Sequence, residues 1–160
     1  MKQVVSNKFF LVIILMLFFS SCGEREPYYQ FKELKNGDWA IDETLLFEVD
    51  STNIILNTPY DISIELTNNM DYPYRNLWIE MAFDTGDSIK DEKKLEFVLA
   101  DEYARWIGDG FGSLFQSSHV VQKGYIFKDS VNLKINIRHI MKDLNLHGIE
   151  RIGVKIKKQA

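Results

Sequence analysis

From Leu45 onward the chain alternates apolar and polar positions far more often than it shows a helical period. Tyr60, Ile62, Ile64 and Leu66 interleave with Asp61, Ser63, Glu65 and Thr67, a half-buried strand beginning after Pro59. Asn68-Asn69-Met70-Asp71 is a turn composition, and after Tyr72-Pro73-Tyr74 the alternation resumes with Leu77, Ile79, Met81 and Phe83 on one face. Trp78, Glu80 and Ala82 take the other face, and Asp84-Thr85-Gly86-Asp87 closes the strand with a tight-turn composition. Val131, Leu133, Ile135 and Ile137 define a third strand, and Ile152, Val154 and Ile156 a fourth. Weaker strand patterns cover Leu45–Asp50, Lys94–Leu99, Trp106–Phe115 and Val120–Phe127. Only Arg138–Leu146 reads as helix, with Ile140, Met141 and Leu144 on one face and His147-Gly148 as the stop.

Short strands at regular spacing with turn residues between them predict a mainly β protein. The expected fold is an antiparallel β-sandwich, Ig-like or jelly-roll-like, with one short helix near the C-terminus. A closed barrel is the alternative, but no long run of alternating small and large residues supports it. Neither an internal repeat nor a Pro- or Ser-rich linker follows Pro27, so residues 28–160 form one expected domain.

The first 21 residues follow a different rule. Lys2 and Lys8 make a positive start, Phe9–Phe19 is an unbroken apolar run, and Ser20-Ser21 precede Cys22. An eleven-residue helix covers about half a bilayer's hydrocarbon core, which fits a cleaved signal better than a span. Cys22 is the single cysteine, so no disulfide can staple the domain. Its place at the expected cleavage point resembles a bacterial lipoprotein signal, in which the thiol is acylated and the cysteine becomes the new N-terminus. Phe19 stands where leucine is commonest, which resembles the looser Bacteroidetes form. The expected division is a lipoprotein signal over 1–21, a polar tether over 22–27, and membrane attachment by acyl chains on Cys22. The tether does not choose between the periplasmic and the surface face of the envelope.

Composition narrows the function. The formal charge of −4 becomes −6 once Lys2 and Lys8 are removed, and an acidic domain gains nothing from counterion release. Nucleic acid is therefore not an expected partner. His119, His139 and His147 lack metal-ligand spacing, and without a second thiol or an HExxH pattern no metal site is expected. Ser113 in Gly112-Ser113-Leu114 lacks the context of a nucleophile elbow. Asp84/Asp87 and Asp101/Glu102 read as solvated turns, and Gly108-x-Gly110-x-Gly112 lacks dinucleotide-binding spacing. No catalytic residue and no cofactor are expected.

What stands out is aromatic. Arg105 to Leu114 places Gly108, Gly110 and Gly112 at alternate positions between Trp106 and Phe111. One reading is a kinked strand whose rings enter the core; the other is an exposed platform for a protein or a sugar ring. Tyr72-Pro73-Tyr74 and Trp78 allow the same two readings. The candidate interaction surface is therefore Tyr72, Tyr74, Trp78, Trp106 and Phe111, with Arg105, Asp109 and Asn76 as polar neighbours for a glycan.

The stretch Asn69-x-Asp71-Tyr72-Pro73-Tyr74-Arg75-Asn76-Leu77-Trp78, with Trp106-Ile107-Gly108-x-Gly110-x-Gly112-Ser113, resembles the gliding-motility lipoprotein GldH family of Bacteroidetes. The ending Tyr125 … Ile140-Met141-x-x-Leu144-x-Leu146-x-Gly148-Ile149-x-x-Ile152-Gly153 is similar to that family too. The resemblance implies a non-catalytic envelope lipoprotein, accessory to gliding motility or its associated secretion machinery, with envelope proteins as partners. Cys22 is the one residue whose role carries over. A carbohydrate-binding lipoprotein is the alternative from the residues themselves, with a glycan as the ligand.

Overall fold

The computed structural model describes residues 26–84, 91–128 and 133–159. Two antiparallel sheets face each other across one apolar core. The five-stranded sheet has the order β1-β11-β4-β8-β7, built from β1 (Tyr28–Glu33), β11 (Ile149–Lys158), β4 (Pro59–Asn69), β8 (Leu114–Ile126) and β7 (Asp109–Phe111). The four-stranded sheet runs β3 (Leu45–Val49), β9 (Leu133–His139), β5 (Asn76–Asp84) and β6 (Asp91–Val98). A short ribbon of β2 (Asp38–Ala40) and β10 (Asn145–His147) closes one pole.

The period-two strands bury the faces their sequence assigns them. Tyr60, Ile62, Ile64 and Leu66 of β4 meet Ile152, Val154 and Ile156 of β11 on the inner side of the larger sheet. Leu77, Ile79, Met81 and Phe83 of β5, with Ile135 and Ile137 of β9, supply the opposing layer. Cross-sheet ring contacts fix the two layers: Phe83 stacks on Tyr125 at 6.3 Å and Phe97 on His119 at 4.4 Å. The outer face of β4 is also buried, because its neighbours reach over it. Arg151 lies over the Phe31 ring at 4.6 Å, donates from Nε to Thr67 Oγ1 at 3.1 Å, and donates from Nη2 to Gln116 Oε1 at 3.1 Å.

The expected C-terminal helix does not form. Arg138 and His139 finish β9, paired with Glu80 and Ile79 of β5, and the Ile140 N–H continues to the Trp78 carbonyl at 2.9 Å. After a bend, Asn145–His147 pairs with β2. The physical reason is that neighbouring strands satisfy these backbone groups at once, whereas so short a helix carries a nucleation cost it cannot recover. Leu144, assigned to the helix's buried face, is 77% exposed. The pattern over Trp106–Phe115 is likewise not one strand; β7 ends at Phe111 and the chain reverses into β8. Residues 85–87 of the Asp84–Asp87 turn and Val131 lie outside the described residues, as do the signal segment and Cys22.

His139 sits under the ribbon, fully buried. Its Nε2 faces the Trp39 carbonyl at 3.1 Å and must carry the proton, which leaves Nδ1 buried without a hydrogen bond. Burial holds its pKa below the ordinary histidine value, and burial does the same to His119. The neutral ring is thus the native form. Above about pH 6.5 folded and unfolded chains are both neutral at these sites, and below it the unfolded chain takes the proton first. Stability is expected to be level above about pH 6.5 and to fall below it, by up to about 1.4 kcal/mol per pH unit for each histidine. Urea unfolding across pH 5 to 8 measures this, and His139→Gln should reduce the slope.

Candidate interaction surface

The pole bearing the β7–β8 hairpin is assembled from Arg75, the chain between β6 and β7, and the hairpin itself. The Arg75 carbonyl accepts the N–H groups of Leu99 (2.8 Å) and Ala100 (3.1 Å) as the chain leaves β6. Asp101 then organises a tight loop. Its Oδ1 accepts the backbone N–H groups of Tyr103 and Arg105, each at 2.9 Å, and its Oδ2 accepts Arg105 Nε and Nη2, each at 2.8 Å. The Arg105 backbone N–H is the largest of the effects that hold the Asp101 carboxyl below its usual range. Asp101 is therefore a turn anchor, and Glu102 beside it is exposed.

Trp106 bridges back to Ala100, and the Ile107 N–H reaches the Leu99 carbonyl at 2.7 Å. Each of the alternating glycines then has its own task. Gly108 has φ +125, and a Cβ there would stand 2.3 Å from the Gln116 carbonyl oxygen, so β7 is drawn against β8 at a point only glycine permits. Gly110 lies beside the Phe115 ring. Gly112, at φ +63, makes the two-residue reversal with Ser113.

The result is a hairpin that carries Phe111 at its tip, 87% exposed. Tyr103 at 72% and Met70 at 65% are also highly exposed on this pole's loops, as is Leu144 at 77%, next to the Tyr74–Asp143 contact, with Ile107 at 44%. Asn69, Leu114 and Phe111 pair in one row, so Met70 follows directly on the strand position beside the hairpin. A row of rings stands beneath. Trp106 lies 6.3 Å from Tyr72 and 5.8 Å from Phe115, and Tyr72 lies 5.9 Å edge-on from Tyr74.

The five aromatic residues singled out from the sequence thus occupy three settings. Tyr72 is a core residue, only 3% exposed, whose hydroxyl donates to the Asn76 carbonyl at 2.8 Å; burial raises its pKa well above the tyrosine range. Tyr74 is half-buried and donates to Asp143 Oδ2 at 2.6 Å, the main cause of its raised pKa, and Trp106 is half-buried against the core. These three buttress the pole. Phe111 projects from it. Trp78 lies apart, 38% exposed on the outer face of the four-stranded sheet. Phe115 completes the ring row and was not among the sequence candidates; its signal was the same glycine-spaced segment. Among the described residues, no three His, Cys, Asp or Glu side chains are placed to share a metal ion.

Tyr28, where the chain joins the sandwich from its N-terminal side, pairs with Ile156 at the pole opposite Phe111. Every strand pair among the described residues is antiparallel, with the N-terminal entry at one pole and Phe111 exposed at the other. Residues 26–156 match the GldH lipoprotein family, and the chain belongs to that family. It is an envelope lipoprotein by that membership. One relative, the gliding motility lipoprotein GldH homolog of Christiangramia forsetii, is 31% identical over 93% of this chain and 94% of its own. A second, the gliding motility lipoprotein GldH of Flavobacterium johnsoniae, is 23% identical over 97% of this chain and 98% of its own. Among solved structures, a fructofuranosidase from Schwanniomyces occidentalis overlaps 82% of this chain and 33% of its own, at 9% identity and a TM-score of 0.37, which carries no argument.

Proposed function

We propose that this lipoprotein is a non-catalytic accessory of a gliding-motility assembly or its associated secretion machinery, held to the membrane by acyl chains on Cys22. The names of both relatives support the process. The observation that carries the mode of action is Phe111, 87% exposed on a hairpin whose glycines serve to build it. A phenylalanine left in water at a hairpin tip, with Met70, Ile107 and Tyr103 exposed on loops of the same pole, has the anatomy of a protein-docking anchor. The partner is a protein of the same envelope assembly.

A photo-crosslinking residue at position 111, compared with one at Ile126 on the opposite pole, tests this in whole cells. Capture of a motility or secretion component from position 111 and not from 126 is the expected result. Phe111→Ser should abolish co-purification of that component and leave stability within about 0.5 kcal/mol, because the side chain touches little of its own fold. No capture from position 111 under repeated crosslinking removes the docking role.

A further inference from the structure

The outer face of the four-stranded sheet carries a hollow of about 310 Å³, lined by Thr44, Glu80, Ala82, Glu92, Asn136 and Arg138. Strand register explains why it exists. Glu80 lies opposite Arg138 and Lys94, and in the next row of the same face Ala82 lies opposite Asn136 and Glu92. Ala82 is the smallest side chain of the lining, and its methyl group supplies apolar surface among these polar neighbours. Arg138 is fixed in place by donating from Nε and Nη2 to a single oxygen of Glu80, at 2.8 and 2.6 Å. That geometry leaves the second carboxylate oxygen as an acceptor and the remaining guanidinium nitrogen as a donor. Among the described residues, no side-chain hydrogen bond occupies Thr44, Glu92 or Asn136.

We propose that this hollow binds a saccharide. Planar side chains that offer paired donors and acceptors (a guanidinium, two carboxylates and an amide) match neighbouring hydroxyl groups on a pyranose ring. The Ala82 methyl matches the ring's C–H face. Two carboxylates against one already-paired guanidinium disfavour an anion, which leaves a neutral sugar as the fitting chemistry. The volume lies at the small end of ligand pockets, roughly 300–1,000 Å³, and suits one or two sugar rings. Trp78, 38% exposed on the same face, stands four residues before Ala82. That distance of about 13 Å along the strand places an indole ring where a longer chain would stack. This site is separate from the hairpin pole and does not depend on its partner.

The test is ligand-observed NMR titration of the full lipoprotein in detergent micelles with maltotriose, cellotriose, mannotriose and chitotriose. At least one is expected to bind with a Kd of about 1 mM or tighter, a modest affinity suited to a shallow, open site. Ala82→Phe fills the hollow with a residue that strands favour, and should weaken binding by at least about tenfold. Arg138→Ala should do the same by removing a donor, and serves if the phenylalanine variant does not fold. Phe111→Ser should leave the titration unchanged. Failure of all four sugars to bind at about 10 mM overturns the proposal, as does undiminished affinity in Ala82→Phe or Arg138→Ala. Neither result bears on capture from position 111, so the two readings fail separately.

Discussion

Trp39→Ala is expected to lower the stability of this domain by about 3–5 kcal/mol, a large share of what a domain of this size possesses. Trp39 is fully buried in a three-residue strand, so its side chain holds the ribbon far more than the backbone pairing does. The indole N–H donates to the Glu43 carbonyl at 3.1 Å, and the ring meets the His139 imidazole edge-on at 5.3 Å. Truncation leaves a large cavity beneath β2 and β10 and strands the Glu43 carbonyl. Urea unfolding of Trp39→Ala beside Leu144→Ala checks the claim, since Leu144 belongs to the same region but is 77% exposed and should change little. A loss under about 1 kcal/mol in the tryptophan variant would show that the ribbon does not depend on it.

Gly148→Ala should be at least as damaging, by a different mechanism. A Cβ at this position would lie 2.5 Å from both the Tyr72 backbone nitrogen and its Cα, and the glycine has φ +86. Backbone cannot swing aside as a flexible side chain does. The Gly148 N–H donates to the Gly37 carbonyl at 2.8 Å, and its own carbonyl accepts the Asn69 N–H at 2.9 Å, so displacement breaks both bonds. A loss of about 4 kcal/mol or more, or failure to accumulate folded protein, is expected. Gly112→Ala is the informative control. It shares the left-handed backbone, at φ +63, but nothing lies within 4 Å of the added carbon. Its cost should be only the conformational one, about 1–2 kcal/mol. Equal effects in the two variants would mean that φ alone, and not the contact with Tyr72, sets the requirement.

The strands β4, β5, β9 and β11 were legible because each buries an inner face, and inner-face burial writes period two into a sequence. The first strand was not. Its segment YYQFKE pairs along a sheet edge, and Tyr29 and Phe31 lie on the outer face, Phe31 covering Gly153, so no alternation marks it. The three-residue strands β2 and β10 are too short to display a period at all. The apolar spacing of Ile140, Met141 and Leu144 suggested a helix because local pattern does not contain the long-range partners, Trp78 and β2, that claim this backbone instead. The aromatic residues show the same division. Phe111 and Tyr72 look alike in sequence, yet one is exposed and the other is buried among Tyr74 and Trp106, with the backbone of distant Gly148 packed against its own. The hollow beside Ala82 has no local signature, since its walls come from β5, β6 and β9 and from Thr44, just before β3.

The placement of Tyr28 and Phe111 at opposite poles sets a limit on posture. Between Cys22 and Tyr28 the chain can stretch at most about 20 Å. Tyr28 lies in the row of Ile156 and Ile62, and Phe111 in the row of Leu114 and Asn69, so about seven residues of β4, roughly 23 Å, separate them. With acyl chains on Cys22, a head-down arrangement would need the tether drawn out to almost its full length along the sandwich. A tether that is not drawn taut leaves the domain standing or reclining on its own membrane, with the hairpin tip at the end away from the attachment point. In the standing posture the exposed phenylalanine faces whatever approaches from the aqueous side.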